Sequence, residues 1–413
     1  SMRYLSAVVL VFVSLTVLAE DWPQHLGPHR NGISKEIGLI SVWPESGLDE
    51  KWRATGGVGM SGVSIYDSLV VTLVQKEGQQ FVLALDRDSG SVKWETAVAP
   101  AFRNSMGNGP RAYPLCADGK AFVFTGEGIL AAVNLADGKL IWKVDTVRLL
   151  QGRVADYGMA CSPLLVNDQV VVTTGHAEGA ALAAFKVLDG SSTWVRPWSD
   201  TIGYSSPAVL EVAGQSQIVT YTGTHLRGVS LSGEDLWLHP YVTPYDCNIV
   251  TPLKIGKDLF ISSGENHGAA LLGVEETGGV FSVKKRWVSQ GSASVLRNEW
   301  QTSILVDGYL YGFDNVGGAG PITHLTCVEA ATGKMAWQQS RFGKGNAMAA
   351  DGKLFVSMMS GELIVIKISS EKYIELGRQK FTRGSRQSPA LSDGVLFLRD
   401  DESIVAVDVK KGK

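Results

Sequence analysis

The chain has seven histidines in 413 residues. Three of them, His176, His225 and His267, fall in short polar stretches between apolar runs. Neutral imidazole ligates metals and moves protons near neutral pH, so three at like positions could hold a metal or a relay. Asp400-Asp401-Glu402 is a run of acids, and carboxylate oxygens suit Ca²⁺. A third set is mixed: Arg111, Tyr204, Trp300, Lys344 and Arg386, with Asn248 and Glu299 beside them. Glu265, Asn266, Asp314 and Asn315 add polar groups of the same kind. The plainer reading of every one is a solvated loop residue, and three consecutive acids are more often just that.

Other chemistry is thin. Gly-x-Ser-x-Gly, a Walker loop and His-Glu-x-x-His are all missing from the sequence. Val316-Gly317-Gly318-Ala319-Gly320-Pro321 is Gly-rich but precedes no helical pattern, so it reads as a flexible loop. Cys116, Cys161, Cys247 and Cys327 are never close in sequence and form no metal spacing. They read as small buried strand residues; one long-range disulfide is the alternative, with no pair selected. A net charge of −3 and a pI near 6.2 leave no basic footprint for nucleic acid. Lys284-Lys285-Arg286 reads as a solvated strand and turn.

What must position these residues is a repeat. Ala84-Leu85-Asp86-Arg87-Asp88-Ser89-Gly90-Ser91-Val92-Lys93-Trp94 is a strand, an Asp-to-Gly turn and a strand carrying Trp. It returns at 133–142 and 328–337, and more loosely before Trp194, Trp237 and Trp287. The Trp spacings from Trp94 to Trp337 are 48, 52, 43, 50 and 50 residues. That period in an all-strand pattern predicts a propeller or a solenoid. A second marker, such as Ser162-Pro163, Ser206-Pro207 or Ser388-Pro389, opens each repeat and gives eight starts. The histidines then fall in the second loop of repeats three, four and five, and Arg111, Tyr204, Trp300, Lys344 and Arg386 each fall three residues before the Pro-equivalent position of an opening pair.

The eighth repeat stops before a fourth strand. Glu50-Lys51-Trp52-Arg53-Ala54 resembles Val92-Lys93-Trp94-Glu95-Thr96, so the N-terminal strand is expected to complete the last blade and close the ring. The fold class is all-β: an eight-bladed β-propeller of four-stranded antiparallel blades over residues 49–413. Blade seven lacks the Trp, with 372–376 in its place, and its outer position is read as degenerate. Ahead of the ring, residues 20–48 form an extended segment rich in Pro and Gly. Its Trp22 and Trp43 point to packing over one end of the core; a plug or partner strap is the functional alternative. Residues 1–19 read as a signal peptide, with basic Arg3, apolar Leu5 to Leu18 and a small-residue site near Ala19. Export, secreted or periplasmic, follows. No stretch after it is apolar and long enough to span a bilayer as a helix, and a monomer is expected.

The pattern Ala-x-Asp-x-x-Ser/Thr-Gly-x-x-x-Trp resembles the repeat of the pyrroloquinoline-quinone-like β-propellers. The resemblance implies that Trp52, Trp94, Trp142, Trp194, Trp237, Trp287 and Trp337 pack between neighbouring blades. Trp22-Pro23-Gln24-His25-Leu26-Gly27 resembles the leader of secreted bacterial members. Family alcohol dehydrogenases hold the quinone between a Trp and a disulfide of adjacent cysteines, with Ca²⁺ on carboxylate and amide oxygens. This chain has no adjacent cysteines, so no quinone site is carried over. Two functions are carried forward. One is a non-catalytic propeller that binds a protein or carbohydrate partner, similar in repeat type to the propeller of the outer-membrane β-barrel assembly machinery. That propeller is lipid-anchored, whereas no cysteine lies near Ala19. The other is an oxidoreductase dependent on pyrroloquinoline quinone and Ca²⁺.

Overall fold

The computed structural model describes residues 20–412; the expected signal segment, residues 1–19, lies outside them. Eight four-stranded antiparallel sheets follow one another around a ring. In each blade, strand A is innermost and strand D is the outer edge. Strands A to C read as near-continuous apolar runs because neighbouring blades cover both their faces. Lys353–Met358 of blade seven is buried throughout, whereas Val92–Pro100, strand D of blade one, is mostly open to solvent. Five of the A–B turns, at 118–119, 213–214, 307–308, 351–352 and 393–394, have positive φ at both central residues. That is the type I′ geometry matching strand twist, and it explains the Asp-Gly pairs.

Closure is as expected. Glu50–Thr55 pairs antiparallel with Ser403–Asp408, placing Trp52 opposite Ala406 and Ala54 opposite Ile404. Blade eight is thereby built from both ends of the chain. The inner ring is tied by hydroxyls at the starts of the A strands. Tyr113 N–H donates to Ser162 Oγ at 3.0 Å, and Ser162 N–H to Ser206 Oγ at 2.8 Å. Thr251 N–H donates to Thr302 Oγ1 at 3.1 Å, and Ser388 N–H to the Tyr113 hydroxyl at 2.7 Å. These are the opening pairs of the repeats, so that marker is the seam between blades.

The repeated Trp packs as the resemblance implies in most blades. Nε1–H of Trp52, Trp94, Trp142, Trp287 and Trp337 donates to a carbonyl of the next blade: Arg87, Leu135, Val187, Ala330 and Ser369. The ring lies on the C–D turn glycine of that neighbour. A Cβ added to Gly90, Gly138, Gly190, Gly233 or Gly333 would come within 2.7 Å of the ring of Trp52, Trp94, Trp142, Trp194 or Trp287. Trp194 covers Gly233 but bonds Gln169 of its own blade. Trp237 departs further: it donates to Gln217 of its own blade and lies against Gly228 there. The reason is next door. Strands C and D of blade five, Gly268–Thr277 and Val280–Gln290, are prolonged, so their turn glycines Gly278 and Gly279 meet nothing within 4 Å.

Blade seven corrects the expectation of a degenerate outer position. Gly377, opposite Val365, occupies the register that Trp holds elsewhere. The indole of Trp43 from the N-terminal segment lies on it, so close that a Cβ there would be 2.0 Å from the ring. A tryptophan from outside the repeat thus covers the site. Every C–D pair also carries a one-residue register shift beside this position. The bulge bends strand D and adds twist.

The rest of the segment crosses the ring on the face of the A–B turns. Carbonyls of Trp22 and Pro23 accept N–H of Ile65 in blade one and Cys116 in blade two. Arg30 donates to the carbonyls of Pro163 and Ser162 at 2.8 and 2.9 Å, and His25 Nε2 lies 3.2 Å from Thr251 Oγ1. Gly32 and Ser34 bond Ala349 of blade seven; the Glu36 carboxylate accepts N–H of Asp393 and Gly394 in blade eight. Packing over the core end and plugging the channel are therefore one arrangement. Burial, with Arg30 nearby, pushes the His25 imidazole down to about 3.

Two outcomes follow from this packing. Gly138→Ala puts a Cβ into the Trp94 indole at a positive φ and lowers unfolding free energy by about 2–4 kcal/mol. Gly119→Ala, at similar φ with nothing within 4 Å, costs about 1 kcal/mol; chemical denaturation compares them. For His25, the unfolded chain takes up a proton near pH 6.5 that the folded chain refuses until about 3. Its stabilising contribution is therefore complete above pH 6.5 and falls by about 1.4 kcal/mol per pH unit below it. Asp21 and Glu36, pushed up by burial, act in the opposite sense. Denaturation midpoints of His25→Gln and the parent from pH 7 to 4 isolate the histidine: the variant loses less stability on acidification.

Candidate functional site

The D–A and B–C loops meet on the face opposite the plug, and their polar side chains are mostly committed to the loops themselves. The Asn248 amide donates to the carbonyls of Thr222 and Tyr241, both at 2.9 Å, and its oxygen accepts from Thr243 and Ser263. It is fully buried and holds loop to blade. Arg297 grips Asp314 through two bonds of 2.7 and 2.8 Å and reaches Asn266 at 2.8 Å. Asn315 Nδ2 donates to the Gly320 carbonyl at 2.8 Å, so the Gly-rich loop is tied down.

The three histidines do not converge. His176 Nδ1 accepts the Glu178 N–H at 3.3 Å on the edge of its own hairpin. His225 Nδ1 lies 2.9 Å from Thr224 Oγ1 and 3.3 Å from Asp200. His267 stands edge-on to Tyr241 at 4.5 Å, and burial pushes its imidazole down. Asp200 belongs to a buried pair with Arg227 at 2.7 Å, and Arg227 lies over Trp198 at 4.7 Å. Burial works to raise the Asp200 carboxyl, but the bonds from Arg227 and Thr222 outweigh it and hold it low.

The acidic run divides by role. Buried Asp400 accepts N–H of Arg383 at 2.9 Å, Glu402 at 2.8 Å and Ser403 at 2.6 Å. Its oxygens are used in holding the turn. Glu402 pairs with Arg383 at 2.8 Å, and Asp401 is exposed. Among the described residues no group of three or more His, Cys, Asp or Glu is placed to hold a metal.

The mixed row does gather in part. Lys344 pairs with Glu299 at 2.8 Å and lies 4.9 Å from the centre of the Trp300 ring. Arg386 lies 5.0 Å from the same ring. Two cations on one indole are a favourable arrangement, about 0.5–2 kcal/mol each. Arg111 is buried, lies 5.1 Å from the Phe102 ring and donates to the Gly107 carbonyl. Burial first, then the Arg386 charge, pushes it down to about 10. Tyr204 stands apart, its hydroxyl accepting the Tyr157 N–H at 3.2 Å.

These residues do not fit a redox quinone with its Ca²⁺. The Trp300 ring is already engaged by Lys344 and Arg386, and the amide and carboxylate oxygens of Asn248 and Asp400 are spent on backbone and side-chain donors. The thiols are not activated either. Among the described residues all four cysteines are free thiols, three of them buried. Cys161 and Cys247 lie in loops rather than in strands, and Cys247, half-buried, is pushed up to about 11 by burial and by Glu265, Asp246 and Glu299. A reactive thiol needs the reverse.

What the reading by residue chemistry passed over is apolar. Leu149 and Val154 in the loop from blade two to three, and Val242 and Tyr245 in the loop from blade four to five, are exposed. Tyr245 is 70% exposed at a φ of +58°, and Val242 is 64% exposed. Val154 and Asp246 line one polar cleft of about 370 Å³, which brings the two loops together, with Asp156 and Glu178 in its walls. The available signal was a large apolar or aromatic residue inside a loop between repeats, with Pro244 beside Tyr245 in one of the two.

Asp400→Ala is expected to cost about 2–4 kcal/mol, because three N–H donors lose their acceptor. Asp401→Ala should stay within about 0.5 kcal/mol of the parent. Thermal denaturation with and without added Ca²⁺ checks both, and the difference persists without the ion.

The profile of the family described as outer membrane protein assembly factor BamB matches residues 54–314 and 322–413. The outer membrane protein assembly factor BamB of Shewanella oneidensis is 25% identical over 382 aligned positions, covering 79% of this chain and 90% of that protein. The crystal structure of BamB from Moraxella catarrhalis superposes with a TM-score of 0.62 at 14% identity, covering 87% of this chain and 99% of that one. Quinohemoprotein alcohol dehydrogenase from Comamonas testosteroni gives 0.68 at 13% identity, covering 95% and 81%. Those two structural likenesses share the ring and no more, but the profile spans the propeller: the chain belongs to the outer membrane protein assembly factor BamB family of pyrroloquinoline-quinone-like β-propellers.

Proposed function

We propose that this protein is a non-catalytic scaffold of the periplasm that binds a protein partner in outer-membrane protein assembly. The observation that carries it is the exposed apolar set Leu149, Val154, Val242 and Tyr245, displayed on loops that are otherwise internally bonded. An exposed tyrosine on a braced loop suits a binding anchor, because tyrosine is enriched among residues that dominate binding energy. Asp156, Glu178 and Asp246 beside them favour a partner face carrying Lys or Arg. Family membership supports the process, and the occupied Trp300 and inert Cys247 weigh against catalysis. The unit acts as a monomer, and the plug faces away from the partner.

Deleting the gene is expected to lower the amount of folded outer-membrane β-barrel protein. Complementation with Tyr245→Glu should restore it poorly, whereas the parent sequence restores it fully. The variant's binding to the purified assembly machinery should weaken about tenfold or more, with its melting temperature unchanged. Unchanged barrel levels after deletion would refute the process. Binding of a glycan in an array, blocked by Tyr245→Glu, would replace the protein partner with a carbohydrate one. Stoichiometric uptake of pyrroloquinoline quinone with Ca²⁺ and dye-linked alcohol oxidation would overturn the scaffold reading.

A further inference from the structure

Between blades seven, eight, one and two, beside the channel mouth, lies a cavity of about 510 Å³. Its volume is in the range of small-molecule sites. Three of its walls are thioethers, Met60, Met106 and Met359, and its charged lining is Arg383, Arg386 and Asp401. Arg383 is neutralised by Glu402. Arg386 is not: its Nη1 reaches the Met106 carbonyl at 3.2 Å and the Met60 sulfur at 3.7 Å, and among the described residues it makes no ion pair.

Two further guanidinium groups stand immediately behind the wall. Arg111 is 9% exposed and donates through Nη2 to the carbonyl of cavity-lining Gly107, while its unpartnered Nη1 lies against Gly158, outside the cavity lining. Arg399 is 3% exposed and donates through Nη1 to Ser61, Thr72 and Leu73. Its Nη2 has no partner and would lie 3.2 Å from a Cβ on cavity-lining Gly59. A buried guanidinium nitrogen without an acceptor is costly. One such nitrogen, Arg399 Nη2, abuts the cavity, and the four guanidinium groups at this corner, Arg111, Arg383, Arg386 and Arg399, outnumber its three carboxylates, Asp400, Asp401 and Glu402, by one.

We propose that this cavity binds a small organic anion, with its carboxylate or phosphate toward Arg386 and the Gly59–Gly107 wall and its apolar body against the three methionines. Guanidinium matches both anionic groups through paired N–H donors. Unbranched thioether side chains adapt to apolar bodies of varied outline and favour aromatic ones. No redox step is involved, and the site is separate from the Leu149–Tyr245 surface. Gly59 and Gly107 both have positive φ, and a Cβ on either would meet Arg399, Pro110 or Met60 within about 3.2 Å, so glycine lets this wall stand close to the cations.

The probe is 8-anilinonaphthalene-1-sulfonate, an aromatic anion that fluoresces on leaving water. Titration of the folded protein should show one saturable site. 1-Naphthoate or 1-naphthyl phosphate should displace the probe; 1-naphthalenemethanol, of the same shape without charge, should bind at least tenfold more weakly. Which of the two anions competes better assigns carboxylate or phosphate. Arg386→Gln, an exposed position, should weaken probe binding about tenfold or more at unchanged melting temperature. Met359→Glu should abolish it. Equal competition by the neutral alcohol, or full affinity in both variants, would overturn the proposal. A signal from partly unfolded protein is recognised because neither variant would change it.

Discussion

The ring must close, and only one pairing closes it. Strand Glu50–Thr55 is held against Ser403–Asp408 across nearly the whole sequence, and Asp408 N–H also bonds the Asp49 carbonyl. Without that pairing blade eight would have three strands and an open edge, and Trp52 would leave the Gly90 turn of blade one uncovered. Bringing such distant segments together costs closure entropy that grows slowly with length. The return is large because each blade is buried on both faces only when both neighbours are present. Stability is therefore cooperative around the circle, and contacts of this range slow folding.

The repeat, the blade count and the closing strand were legible because each rests on local chemistry. Asp-Gly turns demand positive φ, and a Trp every 43 to 52 residues from Trp94 to Trp337 marks the outer strand of six blades. What could not be read depends on partners distant in sequence. Nothing about Trp43 says that it will cover Gly377. The inward turn of Trp237 follows from the length of a neighbouring hairpin. The register shift beside each Trp leaves no mark in residue type. Loop chemistry was the hardest to judge, since Asn248, Asp314 and Asp400 look like ligands in sequence and act as braces in space. A polar side chain in a long loop must satisfy backbone groups before it can serve a ligand.

Those braces have a common logic. Asp200–Arg227 and Asp314–Arg297 are buried ion pairs at the base of the B–C loops. Such pairs gain little net stability against apolar alternatives but are strongly disfavoured when broken. Here they hold the loops that carry Asp200 and Arg297 against their blades. The same face carries an acidic cleft on the side of blades three and four and an excess of guanidinium on the side of blades seven, eight and one. Its two halves are thus suited to opposite charges.

The N-terminal segment also sets an order of events. Residues 22–40 are synthesised before the strands they bond, and those partners range from Ile65 to Val409. Glu36 waits for Asp393 and Gly394, and Trp43 waits for Gly377. The segment therefore finds its place only after residues 393–409 have been made. A truncated product would keep an unplaced leader and an unsealed edge, both open to proteases. Seating of the segment thereby depends on blade eight being in place.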